Sequence, residues 1–328
     1  MLKYAPENLG PAAPLVVVLH GCTQTAAGYD LGTGWSMLAR QHGFALLFPE
    51  QRRSNNQNVC FNWFEPGDTR RGLGEASSIC EMIAHMVQAH GVDSSRVYIT
   101  GLSAGGAMTS VMLATYPELF AAGAIIAGLP YGAASNVQQA FQAMARGPQG
   151  TPAQTAETIR RASEGPWPRV SVWHGMADRI VSPANGYAIV QEWAHIHEAA
   201  KDHVTRRGPL ERTVWRDANG RDVVEWVTIS GLGHGTPIAA GDGPNECGSA
   251  GPFLLDVGIS SSHQIADYFG VLSPNNNAVS KTTGATARPE EFTRGPATDR
   301  DVLDIEEDTK TDVRSVIEKA LRAAGLLR

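Results

Sequence analysis

Three residue types spread widely along the chain have the spacing of a nucleophile, an acid and a base. Ser103 stands in Gly101-Leu102-Ser103-Ala104-Gly105, between an apolar run at 97–100 and a helix-like run at 107–116. On a tight turn from a strand into a helix, a serine hydroxyl is turned outward. Glycines two residues to either side remove the Cβ atoms that would block such a turn and the approach of the helix. A hydroxyl is a weak nucleophile at neutral pH and needs a base beside it. Where serine sits on such an elbow, an acid and then a histidine follow it in chain order, on loops after later strands.

Asp178 meets that requirement. It follows a strand-like run in Val172-Trp173-His174-Gly175-Met176-Ala177-Asp178, where Gly175 lets the chain turn. His234 meets it as the base, in Gly231-Leu232-Gly233-His234-Gly235, just after the apolar run that ends at Ile229. His263 is the rival base. It sits at the start of a helix-like segment, where the helix dipole disfavours the imidazolium that must form. His195 and His197 are two apart and cannot share a helix face, and the stretch from His197 to Lys201 lacks the second histidine of a zinc-protease helix. The oxyanion of an acyl-transfer intermediate needs backbone N–H donors. Ala104 offers one at the helix start, and the loop His20-Gly21-Cys22-Thr23 should offer the second through Cys22. Each donor is worth about 3–4 kcal/mol of barrier.

The elements that must hold these residues alternate between strand and helix. Buried strands are expected at 15–19, 45–48, 97–100, 124–127 and 170–173. Helices are expected at 35–42, 75–90, 107–116, 185–199 and 261–269. The stretch 51–74 has no periodicity and is rich in Asn, Arg and aromatics, as in a long functional loop. Segment 136–165 reads as a Gln- and Ala-rich helical insertion over the sheet edge. Asn219-Gly220 marks a hairpin-like turn between 213–215 and 223–229. The pattern is α/β, a mostly parallel doubly wound sheet with helices on both faces. It divides as a catalytic domain at 1–272, a polar linker at 273–310 and an amphipathic helix at 311–328.

The whole chain limits the alternatives. Its 328 residues are 42% apolar, enough for one large domain. A net charge of −6, with arginines only in scattered pairs, argues against a nucleic-acid partner. No apolar run is long enough to span a bilayer. Four cysteines, Cys22, Cys60, Cys80 and Cys247, form no C-x-x-C pair, so zinc and thioredoxin chemistry are not expected. An even count suits two disulfides or free buried thiols equally.

Several motifs together resemble the short-chain polyhydroxyalkanoate depolymerases, an α/β-hydrolase esterase family that includes feruloyl and acetylxylan esterases. They are Leu19-His20-Gly21-Cys22-Thr23-Gln24, Cys60-Phe61-Asn62-Trp63-Phe64, Gly101-Leu102-Ser103-Ala104-Gly105-Gly106, Gly128-Leu129-Pro130-Tyr131-Gly132 and Gly233-His234-Gly235. The similarity covers roughly residues 1–272. It implies Ser103 as nucleophile, Asp178 as acid, His234 as base, and the Cys22 and Ala104 amides as the oxyanion hole. It also suggests a Cys22–Cys60 disulfide and secretion. The residues themselves open on Met1-Leu2-Lys3-Tyr4 without a secretory signal, which suits the cytoplasm or a chain that starts after a removed segment.

The expected reaction is ester hydrolysis through an acyl-enzyme, with no metal or other cofactor. Phe61, Trp63 and Tyr131 are candidates to line the acyl cleft. The short tail favours soluble esters or 3-hydroxyalkanoate oligomers over crystalline polymer. Feruloyl or acetylxylan esterase activity is the enzymatic alternative. A catalytically silent α/β-hydrolase acting as a binding protein is the non-enzymatic one.

Overall fold

The computed structural model describes residues 1–7 and 9–272 and the backbone of the strand Thr293–Arg294. The chain separates into units Met1–Thr293 and Arg294–Arg328. The linker expected at 273–310 and the helix expected at 311–328 lie outside the described residues, apart from that short strand.

The first unit runs β1 (Leu2–Tyr4), β2 (Leu15–Leu19), α1 (Ala26–Thr33), α2 (Trp35–His42), β3 (Ala45–Phe48), α3 (Gly74–His90), β4 (Val97–Leu102) and α4 (Ala104–Thr115). It continues with β5 (Ala122–Ile126), α5 (Val137–Arg146), α6 (Pro152–Ala162), β6 (Arg169–Gly175), α7 (Pro183–Ile196), β7 (Ala200–Arg207), β8 (Leu210–Arg216), β9 (Asp222–Ile229), β10 (Thr236–Ile238), β11 (Leu254–Asp256) and α8 (Ser261–Phe269).

The uninterrupted apolar runs become strands because both of their faces are covered. Every side chain of β2, β3, β4 and β5 is buried. Within residues 1–272 the main sheet runs β1-β3-β2-β4-β5-β6-β9-β8-β7. From β3 to β9 the neighbours are parallel, and β1, β8 and β7 add antiparallel edges. Side chains alternate between two cores, as the pleat requires. Leu15, Val17 and Leu19 face Ile83, Met86, Val111 and Trp193, while Val16 and Val18 face Tyr29, Trp35, Phe44 and Phe269. No helix among the described residues is long and apolar enough to cross a membrane.

Three expectations change. The insertion forms two helices, α5 and α6, and these pack on α7 and α4 rather than over the sheet edge. Ala140, Ala143, Ala156 and Ile159 enter the same core as Trp193, because small side chains let the helices approach closely. Strand β7 has no apolar alternation and was not expected. Its charged side chains, with Lys201, Arg206 and Arg207 exposed, suit a sheet edge that must not pair with another chain. Helix α1 was not expected either, since Gly28 and Gly32 weaken its helical pattern. Thr25 caps it by accepting from the Gly28 N–H.

Candidate active site

The elbow is set by the carboxyl end of β4 and the start of α4. Ser103 has φ +56° and ψ −116°, a strained conformation for a residue with a Cβ. It is held there by two hydrogen bonds. Its N–H donates to the Ile126 carbonyl at 2.9 Å, and its carbonyl accepts from the Ala107 N–H at 2.8 Å. A Cβ at position 101 would strike the Gly105 carbonyl, and one at 105 would strike the carbonyls of Leu19 and His20. Those contacts are why the two flanking glycines are needed.

Folding brings together the three dispersed residues. His234 Nε2 lies 2.9 Å from Ser103 Oγ, and His234 Nδ1 lies 2.7 Å from Asp178 Oδ2. The acid and the imidazole are almost wholly buried, with side chains 0% and 5% exposed. The loop carrying the histidine is tied to the loop carrying the acid: Met176 N–H donates to Ile229 O, and Ala177 N–H to Leu232 O. The Phe253 ring stands nearly perpendicular to the imidazole, with ring centroids 5.9 Å apart. His263 lies elsewhere, at the start of α8, and interacts electrostatically with His42. His197 ends α7 and bonds the Pro168 carbonyl.

Asp178 is a carboxylate saturated with donors. Oδ1 accepts from the N–H groups of Ile180 and Val181 at 2.8 and 2.9 Å. Oδ2 accepts from His234 and lies 3.3 Å from His174 Nε2, which also donates to the Val181 carbonyl at 2.9 Å. Burial would raise the Asp178 pKa. The hydrogen bonds from His174, His234 and Ile180 outweigh it and hold the group well below the usual carboxylate range. The charge that would orient and stabilise an imidazolium is therefore present at any ordinary pH.

The second expected amide donor sits on a braced loop. Cys22 is joined to Cys60 by a disulfide, with Cα atoms 4.2 Å apart. Gly21 N–H donates to Gln24 Oε1, and Thr23 N–H to the Asn58 carbonyl. His20 spends both ring nitrogens: Nδ1–H donates to Gly21 O, and Nε2 accepts from Gln51 N–H. Among the described residues, the N–H groups of Cys22 and Ala104 make no hydrogen bond, so both are available to an oxyanion.

Glu75 fastens the loop between β3 and α3. It accepts from the Asn62 N–H at 2.9 Å and from Gln51 Nε2. Burial, reinforced by nearby Asp68, pushes its carboxyl up to about 7 against those hydrogen bonds.

The aromatic residues divide. Phe61 and Trp63 are only 3% and 6% exposed and belong to the apolar core. Phe61 packs beside His20 and also lines a cavity of about 410 Å³ with Gln51, Asn62 and Glu75, and the Trp63 ring stands nearly perpendicular to that of Phe64. Tyr131 is half-buried and lines a cavity. The sequence reading missed His174, Gln24, Gln51 and Glu75. His174 stands four residues before Asp178, yet in a strand-ending run that spacing implies no contact. The others act across loops, where no periodic signal exists. No group of three or more His, Cys, Asp or Glu side chains among the described residues is arranged to hold a metal ion.

Comparison with known proteins places the chain among esterases. Residues 2–212 match the family model described as esterase PHB depolymerase. The chain is 47% identical over 277 residues to poly(3-hydroxyalkanoate) depolymerase C of Paucimonas lemoignei, covering 83% of this chain and 67% of the relative. It is 32% identical over 250 residues to acetylxylan esterase A of Emericella nidulans, covering 72% and 80% respectively. The solved acetyl xylan esterase from Aspergillus awamori superposes with a TM-score of 0.69 at 26% identity, over 82% of this chain and 93% of that one. That match carries the α/β-hydrolase fold.

Proposed function

The chain belongs to the PHB depolymerase family of carboxylic ester hydrolases, and from that premise we propose that it hydrolyses short-chain poly- or oligo-3-hydroxyalkanoates through Ser103, His234 and Asp178. The hydrogen-bonded line from Asp178 through His234 to Ser103 is the observation that carries this reading.

In the first half-reaction Ser103 Oγ adds to the ester carbonyl carbon and its proton passes to His234 Nε2. Asp178 holds Nδ1–H and balances the imidazolium. The carbonyl oxygen, now an anion, takes hydrogen bonds from the Cys22 and Ala104 N–H groups. The bond from carbon to the alcohol oxygen then breaks, and the His234 proton goes to that oxygen. In the second half-reaction water gives a proton to His234 and adds to the acyl-enzyme. Collapse releases the carboxylic acid and returns the proton to Ser103. The residues supply every proton transfer in this scheme. The Cys22–Cys60 disulfide supports an oxidising compartment outside the cytoplasm as the place of action.

Ser103→Ala should lower kcat on p-nitrophenyl butyrate by about 10⁴ or more, and a fluorophosphonate should label the native chain at Ser103. An unchanged rate in the variant removes the nucleophile. The acetylxylan esterase relative and the fold match support a second reading, deacetylation of xylan. Parallel assays on 3-hydroxybutyrate oligomers and acetylated xylan distinguish the two.

A further inference from the structure

A cavity of about 710 Å³ opens between the loop after β5 and the pair α5–α6. Pro130 and Tyr131 form one wall, and Gln142, Arg146 and Gln149 form another. Both walls are tied by hydrogen bonds to segments that carry the relay or adjoin them. The chain enters the Tyr131 loop from β5, whose Ile126 carbonyl accepts from the Ser103 N–H. The end of α5 is fastened to the end of the loop that follows Asp178 and to the start of α7: Ser182 N–H donates to the Met144 carbonyl, and Asn185 Nδ2 to the Ala143 carbonyl.

The chemistry of the lining is one-sided. No carboxylate faces the cavity. Gln139 and Gln154 spend their side-chain oxygens on the turns at Ser135 and Thr151. The Tyr131 hydroxyl and the Gln142 and Gln149 amides make no hydrogen bond among the described residues. Neighbouring arginines are paired, Arg71 with Glu118 and Arg161 with Glu157. Arg146 has no such partner among the described residues, nor has Arg70, which acts electrostatically on the Tyr131 hydroxyl. A cavity of this size suits a small-molecule ligand. Its free groups suit a molecule that offers oxygen acceptors along its length and one negative charge.

A hydroxyacid oligomer has that form. When one of its esters is cleaved, the acyl half passes to the serine, and the alcohol half keeps the chain's terminal carboxylate. We infer that this cavity is the alcohol-side subsite, holding a short 3-hydroxyacyl oligomer with its terminal carboxylate on the Arg146 guanidinium. The Tyr131 hydroxyl and the glutamine amides donate to the ester carbonyls between. An acetylated sugar carries no carboxylate and would leave the guanidinium unmatched. The inference rests on Ser103 being the nucleophile, and it adds a preference for cutting near the carboxyl end.

The test compares a 3-hydroxybutyrate trimer with its methyl ester, with the competent enzyme counted by fluorophosphonate titration of Ser103. The native chain should show kcat/KM about tenfold higher for the free acid, the size of one partly solvated charge-assisted hydrogen bond. Added salt should shrink that ratio. Arg146→Gln should bring it close to one, and Arg146→Lys should retain part of it. A native ratio near one, a preference for the methyl ester, or a ratio unchanged in Arg146→Gln overturns the subsite. Failure of the nucleophile assignment would show separately, as absent labelling at Ser103.

Discussion

Asp178 is a buried carboxyl group and Glu75 a half-buried one, and their surroundings drive them in opposite directions. Asp178, in the loop after β6, receives two backbone N–H bonds and two imidazoles, and stays charged far below the usual range. Glu75, at the start of α3, receives one backbone N–H and one amide, has Asp68 nearby, and is pushed up to about 7. Burial opposes the charge in both. The number of donors, and the presence or absence of a second carboxylate, decides which way the balance falls. In the proposed reaction the acid side of the site needs a permanent charge. The brace under the oxyanion loop needs only a fixed shape.

The sharpest way to break this contrast is to remove the charge on the acid side. Asp178→Asn should lower kcat by about 10⁴ with little change in structure, because the imidazole loses both its orientation and its counter-charge. A loss under tenfold would place the acid elsewhere. Next in size is the covalent tie on the other side. Replacing Cys22 and Cys60 together by Ser should cost about 4 kcal/mol in urea denaturation, the chain-entropy value for a closed loop of this length. Stability unchanged by the double substitution would mean that the loop is held by its hydrogen bonds alone.

Glu75 sharpens the comparison through pH. Its folded pKa lies above its unfolded one, so its contribution is full below about pH 4.5 and is lost as pH rises through about 7. Glu75 should account for a loss of up to roughly 3 kcal/mol across that window, and Glu75→Gln should remove that share of the slope, leaving the shares of buried Glu192, raised in the same direction, and of the lowered histidines His20, His42, His90 and His197. Asp178 has the opposite sign and contributes almost nothing to that slope, since its loss begins as the unfolded carboxyl protonates, at the acid end of the window, and is completed only at strongly acid pH. Native and Glu75→Gln curves of equal slope from about pH 4.5 to about 7 would contradict the brace. The smallest expected effect belongs to His174. His174→Phe keeps an aromatic ring but removes the long fourth donor to Asp178, and should lower kcat about tenfold at unchanged KM. Equal changes in kcat and KM, or none, would reduce His174 to a packing residue.

Much of this arrangement is legible in residue order. The elbow around Ser103, the strand runs that precede Asp178 and His234, and the alternation of β and α are local patterns, each fixed by periodicity or by glycine. The aromatic loop shows the limit of such reading. Phe61 and Trp63 carry no mark in the sequence that tells how deeply they are buried, and only packing beside His20 and Phe64 shows it. Strand β7 was invisible because an exposed edge strand does not need apolar alternation.

The linear order of amino acids determined which groups were available and which loops carried them: a serine on a forced turn, an acid and a histidine each released at the end of a strand. The tertiary structure decided their electrical state and their neighbours. Whether a carboxyl is charged, whether an amide is free, and whether a cavity lacks a counter-ion all depend on atoms distant in the chain. Burial and hydrogen bonding act through space, and sequence spacing does not record them.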